Sequence, residues 1–248
     1  MTRGDLDCEA RRPVVVTGDH ANRLIGTMTT SWALRRAVEC GGKMSAMDSL
    51  GNLVRDLAVA APPTLINPYA CFDPDLDRPG GAAIRAATLL AYLEARSTPA
   101  LLLVGEAAGY QGCRFSGIAF TSERALPASQ WTSTRPEGWR EPSATIVHDA
   151  LRELGLEDRT ILWNVVPFHP AGLSPLSNRT PLAAERRAAT EWLRRIRAIS
   201  QPGVVAAIGR VAEAALGPGT PYLRHPARGG ARKFRDGLAQ LAREHGLV

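Results

Sequence analysis

The stretch Ala100-Leu101-Leu102-Leu103-Val104-Gly105-Glu106 decides how this chain is read. Five small or apolar residues end on a glycine and then a carboxylate. A short apolar run with no polar alternation suits a strand covered on both faces. Three further segments read as strands: Thr160–Val166, Gly203–Ile208 and the short Pro221–Arg224. Between them lie helical patterns. Leu50, Leu53, Val54 and Leu57 recur at helical spacing until Pro62-Pro63 ends the run. Ala82–Arg96 contains neither Gly nor Pro. Ser143 is placed to cap a helix over Ala144–Leu154, with Gly155 at its end. Thr180 followed by Pro181 suggests a cap and first position for a helix to about Ser200, with Leu182, Ala189, Trp192, Leu193, Ile196 and Ile199 inward. A short helix to Leu216 and a closing helix Phe234–Glu244 complete the pattern.

Strands alternating with helices predict an α/β protein: a three-layer α/β/α sandwich around a central, mainly parallel four-stranded sheet. Ligands of such sheets bind beyond the carboxyl ends of the strands. The segments after Gly105, Asn164 and His225 are therefore expected to line one crevice. Residues 105–142 read as a long irregular loop, which in a compact domain points to function.

Length and composition set the frame. The chain has 248 residues, 45% of them hydrophobic and 22% charged, as in ordinary globular proteins. That excludes a disordered chain, a collagen and a coiled coil. No run approaches the ~20 apolar residues of a membrane span. The first ten residues carry acids and lack an apolar core, so neither a signal peptide nor a membrane partner is expected, and a cytoplasmic, nucleoid-associated location is. Residues 1–46 show no sustained period, although Val14–Val16 suggests a strand and Ser31–Glu39 a helix turn or two. They read as an N-terminal extension, either a variable tail or a stretch preceding a true start near Met44 or Met47. Residues 47–248 read as the folded domain. Cys8, Cys40, Cys71 and Cys113 lie far apart with no CxxC pair, which argues for reduced thiols and against a zinc ribbon or iron–sulfur site. The net charge is +6, carried by 28 Arg and two Lys. From Arg224 onward there are six cations and two anions, so most of the excess charge sits on the last 25 residues.

Three segments carry chemistry. Gly105-Glu106-Ala107-Ala108-Gly109-Tyr110-Gln111-Gly112 combines a carboxylate with glycines that admit close approach to a ligand, and Phe120 downstream offers a flat face. It is neither GxGxxG nor a P-loop. Asn164 interrupts an apolar strand, which is costly unless its amide is paired. An amide presents a donor pair and an acceptor, the complement of a pyrimidine imide edge. His169 reads as a loop histidine bonded to backbone. His225-Pro226 ends the fourth strand, and the Gly-flexible loop after it, with Arg228, Arg232 and Lys233, suits phosphates.

In this order the segments resemble the uracil-DNA glycosylase superfamily, over roughly residues 64–248. Gly105-Glu106-Ala107-Ala108-Gly109 resembles the family's first motif in its GEAPG form, and Ser116-Gly117-Ile118-Ala119-Phe120 the continuation ending in the base-stacking Phe. Asn164-Val165-Val166 with Asn178-Arg179-Thr180-Pro181 resembles the uracil-recognising segment. Ala206–Gly217 resembles the strand–Gly–helix before the last motif, and His225-Pro226 the HPS motif. The chain departs from the family at Ala108, Ala119 and Ala227, and at Ala107, where some branches carry a water-positioning Asp or Asn. The iron–sulfur cysteines of the GEAPG branches are absent.

The resemblance implies a hydrolase that flips uracil out of DNA and cleaves its N-glycosidic bond, starting base excision repair. Glu106 and His225 would be catalytic. Phe120, Asn164, Ala107, Gly109 and Tyr110 would surround the base. Arg228, Gly229, Gly230, Arg232 and Lys233 would grip DNA. No metal or cofactor is implied. The partner would be single- or double-stranded DNA, and the protein a monomer. Three alternatives stand beside this: a glycosylase for hypoxanthine or xanthine, a non-catalytic binder of damaged or abasic DNA, and a nucleotide-cofactor enzyme unrelated to DNA.

Overall fold

The structure, a computed structural model, describes residues 46–248. The expectations for Val14–Val16, Ser31–Glu39, Cys8 and Cys40 lie outside the described residues. In chain order the elements are α1 (Ala46–Val59), α2 (Gly81–Glu94), β1 (Leu101–Ala107), the single turn α3 (Cys113–Ser116), α4 (Pro142–Glu153), β2 (Thr160–Val166), α5 (Ala183–Ser200), β3 (Val204–Ile208), α6 (Arg210–Leu216), β4 (Tyr222–Leu223) and α7 (Ala231–Glu244).

The four strands form one sheet in the order β2-β1-β3-β4, and every pairing is parallel. Side chains alternate across it. Leu102, Val104, Ile161, Trp163 and Ala207 face a core closed by α1, α2, α5 and α6. Leu101, Leu103, Leu162, Ala206 and Ile208 face a second core closed by α4 and α7. Two covered faces explain why these strands are apolar at successive positions. The three-layer sandwich expected from the sequence is the architecture found.

Several boundaries moved for identifiable reasons. β1 runs two residues past Gly105, so Glu106 lies within the strand rather than after it. α4 starts on Pro142, and Ser143 does not cap it: its hydroxyl donates to Glu141 Oε1 at 2.7 Å. Proline suits the first helical position, which draws the start forward. α5 starts at Ala183, not Pro181, because Glu185 takes the Leu182 N–H at 2.7 Å. Leu182 is consequently exposed rather than inward. The Asn67 amide closes α1, donating to the Leu57 and Ala60 carbonyls at 2.7 and 2.8 Å.

The long stretch between β1 and α4 is ordered by buried charge. Asp77 accepts Arg85 at 2.9 Å and both Arg114 terminal nitrogens at 2.8 and 3.0 Å, with all three side chains buried. Glu123, fully buried, accepts the backbone N–H groups of Thr132, Ser133 and Trp139 at 2.6, 2.7 and 3.0 Å. These two anchors replace secondary structure as the satisfier of polar backbone.

Candidate active site

The carboxyl ends of all four strands point the same way, and a cleft opens there. It comprises two adjoining cavities of about 510 and 530 Å³, a size that suits a nucleoside. Glu106, Arg224 and His225 line both. One wall is the Ala107–Gly109 turn with Pro170 and Asn178–Thr180. The other carries Ala227 and Arg228. The three segments singled out in the sequence thus converge.

Glu106 is half-buried. Burial pushes its carboxyl above the usual carboxylate range, against the opposing charge of Arg186 and a hydrogen bond from Thr180. His225 follows β4 and is mostly buried. Its Nδ1 accepts the Ala227 N–H at 3.1 Å, so the neutral ring carries its proton on Nε2. Burial first, then the charge of Arg224, holds the imidazole below its ordinary pKa. The Arg224 guanidinium also donates to the His225 carbonyl at 3.0 Å. Gly230 packs against that carbonyl so closely that a Cβ there would overlap it.

Asn164 lies on β2 directly across from Gly105 of β1. It is 4% exposed, and its amide has no hydrogen-bond partner among the described residues. Phe120 is buried with φ 49°, a left-handed conformation that a bulky residue adopts only under constraint, and Arg228 has φ 52°. The Phe120 and His225 ring centroids are 5.9 Å apart. Gly105 lets Phe120 and Asn164 meet: a Cβ there would strike the Phe120 ring and stand 2.9 Å from Asn164 Oδ1. Gly105→Ala is therefore expected to cost about 1–3 kcal/mol of stability through overpacking. A urea unfolding midpoint equal to that of the parent protein would refute this.

The remaining expected residues divide. Ala107 and Gly109 line the cleft as anticipated. Tyr110 does not line it: its ring packs edge-on against Trp139 at 5.5 Å, and only its N–H reaches the cleft wall, donating to Asn178 Oδ1 at 3.1 Å. Gly229 has φ 73°, which lets the loop turn after Arg228, while Arg232 and Lys233 stand exposed on the first turn of α7. His169 is fully buried, its ring nitrogens 2.9 Å from the Ala108 carbonyl and 3.1 Å from that of Pro175, as a backbone-bonded histidine should be.

Arg210 and Tyr222 were not anticipated. They line the cavity beside Gly209, with the guanidinium 4.3 Å from the ring centroid. A strand–Gly–helix junction gives a hint of such a site but not of its aromatic partner across the sheet. Glu185 was likewise missed. Hydrogen bonds from Arg179 at 2.6 and 2.8 Å hold its carboxyl down at about 2 and fix the Asn178–Thr180 wall. No group of three His, Cys, Asp or Glu side chains among the described residues is arranged to hold a metal ion. No described helix is long and apolar enough to cross a membrane.

Residues 93–242, more than half of the chain, match the family model of the uracil DNA glycosylase superfamily. The chain is also similar to wild-type SMUG2 of Pedobacter heparinus, seen in its crystal structure. The TM-score is 0.59 at 15% identity, over 83% of this chain and 100% of that one, so the likeness concerns the fold. No curated protein sequence matches. The family match supports a DNA glycosylase as the class of protein. The chain belongs to the uracil DNA glycosylase superfamily.

Proposed function

We propose that the protein excises uracil from DNA and leaves an abasic site for base excision repair. The observation that carries this is the Asn164 side chain, 4% exposed and with no hydrogen-bond partner among the described residues, which meets the Phe120 ring over Gly105. An amide left without a protein partner is free to bond a complementary base edge. Uracil offers O4 as acceptor and N3–H as donor, matching the amide's donor and acceptor. Cytosine inverts both groups, and so is disfavoured.

Cleavage leaves positive charge on the sugar and negative charge on the base O2. The His225 Nε2–H donates to that oxygen as charge develops. Ionised Glu106 stabilises the sugar cation and orients the attacking water. The Arg228 loop grips phosphates, and Arg228 fills the place of the flipped nucleotide. The proposed partner is DNA, and the proposed working state a monomer.

The test is base release from oligonucleotides bearing uracil, hypoxanthine, xanthine, or thymine opposite guanine, in single and double strands. The expected result is release of uracil, strongly reduced in Asn164→Ala. Release of a purine instead would replace uracil by that base. No release from any substrate, with tight binding to abasic-site DNA, would overturn the catalytic reading.

A further inference from the structure

The backbone of Phe120, with φ 49°, stays in the left-handed region only where its neighbours over-determine it. Its ring packs over Gly105 beside Asn164 and lies 5.9 Å from the His225 ring. The chain on both sides of this turn is pinned. Before it, the Ser116 hydroxyl donates to the Ile118 carbonyl at 3.0 Å and accepts the Ile118 N–H at 3.2 Å. After it stands Thr121, also buried. Its Oγ1 lies 3.1 Å from the Ala119 carbonyl and 3.3 Å from His148 Nε2, so one hydroxyl ties the residues flanking Phe120 to α4.

His148 is itself held from behind. Its Nδ1 is 3.0 Å from Glu157 Oε1, on the short 3₁₀ turn before β2. Arg152 donates to both Glu157 oxygens at 3.1 and 3.3 Å. Burial alone would raise the Glu157 carboxyl, but the bonds from His148 and Arg152 hold it below the ordinary carboxylate range. An ionised carboxylate only accepts, so Nδ1 carries a proton. In the neutral ring Nε2 then accepts the Thr121 hydroxyl. A charged ring would donate to Oγ1 instead and send the hydroxyl proton to the Ala119 carbonyl, so the contact holds in both forms. Carboxylate, imidazole and hydroxyl in line are the parts of a nucleophilic triad. Thr121, however, is 4% exposed and lines neither cavity, so the relay ends on backbone and not on substrate.

We infer that His148 is a positioning residue: through Thr121 it locks the Phe120 turn and so fixes the Phe120 ring against Asn164 and His225. This rests on the uracil reading above, in which the flipped base meets those two residues. A displacement of about 1 Å at the reacting centre is enough to slow chemistry strongly.

The test uses the full chain and the variants Thr121→Val, Thr121→Ser and His148→Ala. Thr121→Val keeps the shape and removes only the hydroxyl. Single-turnover release from uracil-containing duplex is expected to slow about tenfold in Thr121→Val and in His148→Ala. The half-saturating DNA concentration should not change, because phosphates are gripped elsewhere. Thr121→Ser should keep the parent rate. In parallel, fluorine NMR of protein carrying para-fluorophenylalanine reports on the five Phe residues, with the Phe120 signal assigned by its loss in Phe120→Leu. That signal is expected to broaden or split in Thr121→Val and His148→Ala and to stay single in Thr121→Ser. The remaining signals should keep the dispersion of a folded protein. A Thr121→Val rate within twofold of the parent protein, or an unchanged Phe120 signal in that variant, would overturn the inference. Equal slowing in Thr121→Ser would do the same. If the parent protein releases no uracil, the function proposed above fails. The fluorine signal then decides alone: a Phe120 signal altered in Thr121→Val supports the positioning role, and an unchanged one overturns it.

Discussion

His225→Ala is expected to slow uracil release about 10²–10³-fold in kcat, the usual loss when one donor to a developing oxyanion is removed. KM should change little, because the hydrogen bond strengthens only as negative charge reaches the base O2. The geometry also sets a pH dependence. The Ala227 N–H requires a lone pair on Nδ1, so the working ring is neutral with its proton on Nε2. Burial and the Arg224 charge lower the pKa of the ring and favour that state near neutrality. Glu106, raised by burial, works as the carboxylate. Both working forms are the deprotonated ones. Single-turnover rates should therefore climb from acid pH to a plateau near neutrality, and Glu106→Gln should remove the Glu106 contribution to the acid limb. A His225→Ala rate within threefold of the parent protein would exclude the donor role, as would activity that increases toward acid pH.

Much of this site was legible because its parts sit at strand ends. The run Leu101–Val104 announces a strand, and the residues at the carboxyl end of a strand in a parallel sheet must face the crevice. That logic places Glu106 and His225 on one cleft without any distance, whereas Asn164, across from Gly105, lines neither cavity. Legibility failed where side chains answer to three-dimensional neighbours. Tyr110 lies beside the glycines in sequence, yet its ring finds Trp139, 29 positions later. Thr180-Pro181 has the form of a helix start, but the reach of Glu185 back to Leu182 moves the start by two residues. Arg210 and Tyr222 belong to neighbouring elements whose meeting depends on strand order. The charged interior had no periodic signal at all: Asp77, Arg85, Arg114 and Glu123 look like surface residues in one dimension.

That buried cluster carries the largest expected effect on stability. Arg85 and Arg114 both spend their charge on Asp77, and the three side chains are at most 2% exposed. Arg85 also donates to the Pro68 and Cys71 carbonyls and to Thr132 Oγ1, so it has fixed partners and nowhere to turn. Burial pushes its guanidinium down to about 10, the Arg114 charge adds to that, and Asp77 opposes it. Burial alone would raise the Asp77 carboxyl, but hydrogen bonds and charge from Arg114, then Arg85, hold it below the ordinary carboxylate range. Asp77→Asn keeps the shape and removes the charge, leaving two buried cations facing each other. Removing one partner of a buried ion pair typically costs about 3–5 kcal/mol. A loss of that size is a large share of the roughly 5–15 kcal/mol of a whole domain. Because Asp77 is depressed in the folded state, its contribution is complete above the unfolded-state pKa and is lost as pH falls through the folded value. Urea unfolding at pH 7 should therefore show a much lower midpoint with an unchanged slope for Asp77→Asn, and the gap should narrow on acidification. Arg114 lies just after the Gly109–Gly112 turn, so the same substitution should loosen the wall beside Glu106 and reduce base release even where the protein remains folded. A midpoint shift worth less than 1 kcal/mol, or a gap that widens toward acid, would show that Asp77 is not what holds the two arginines in the core.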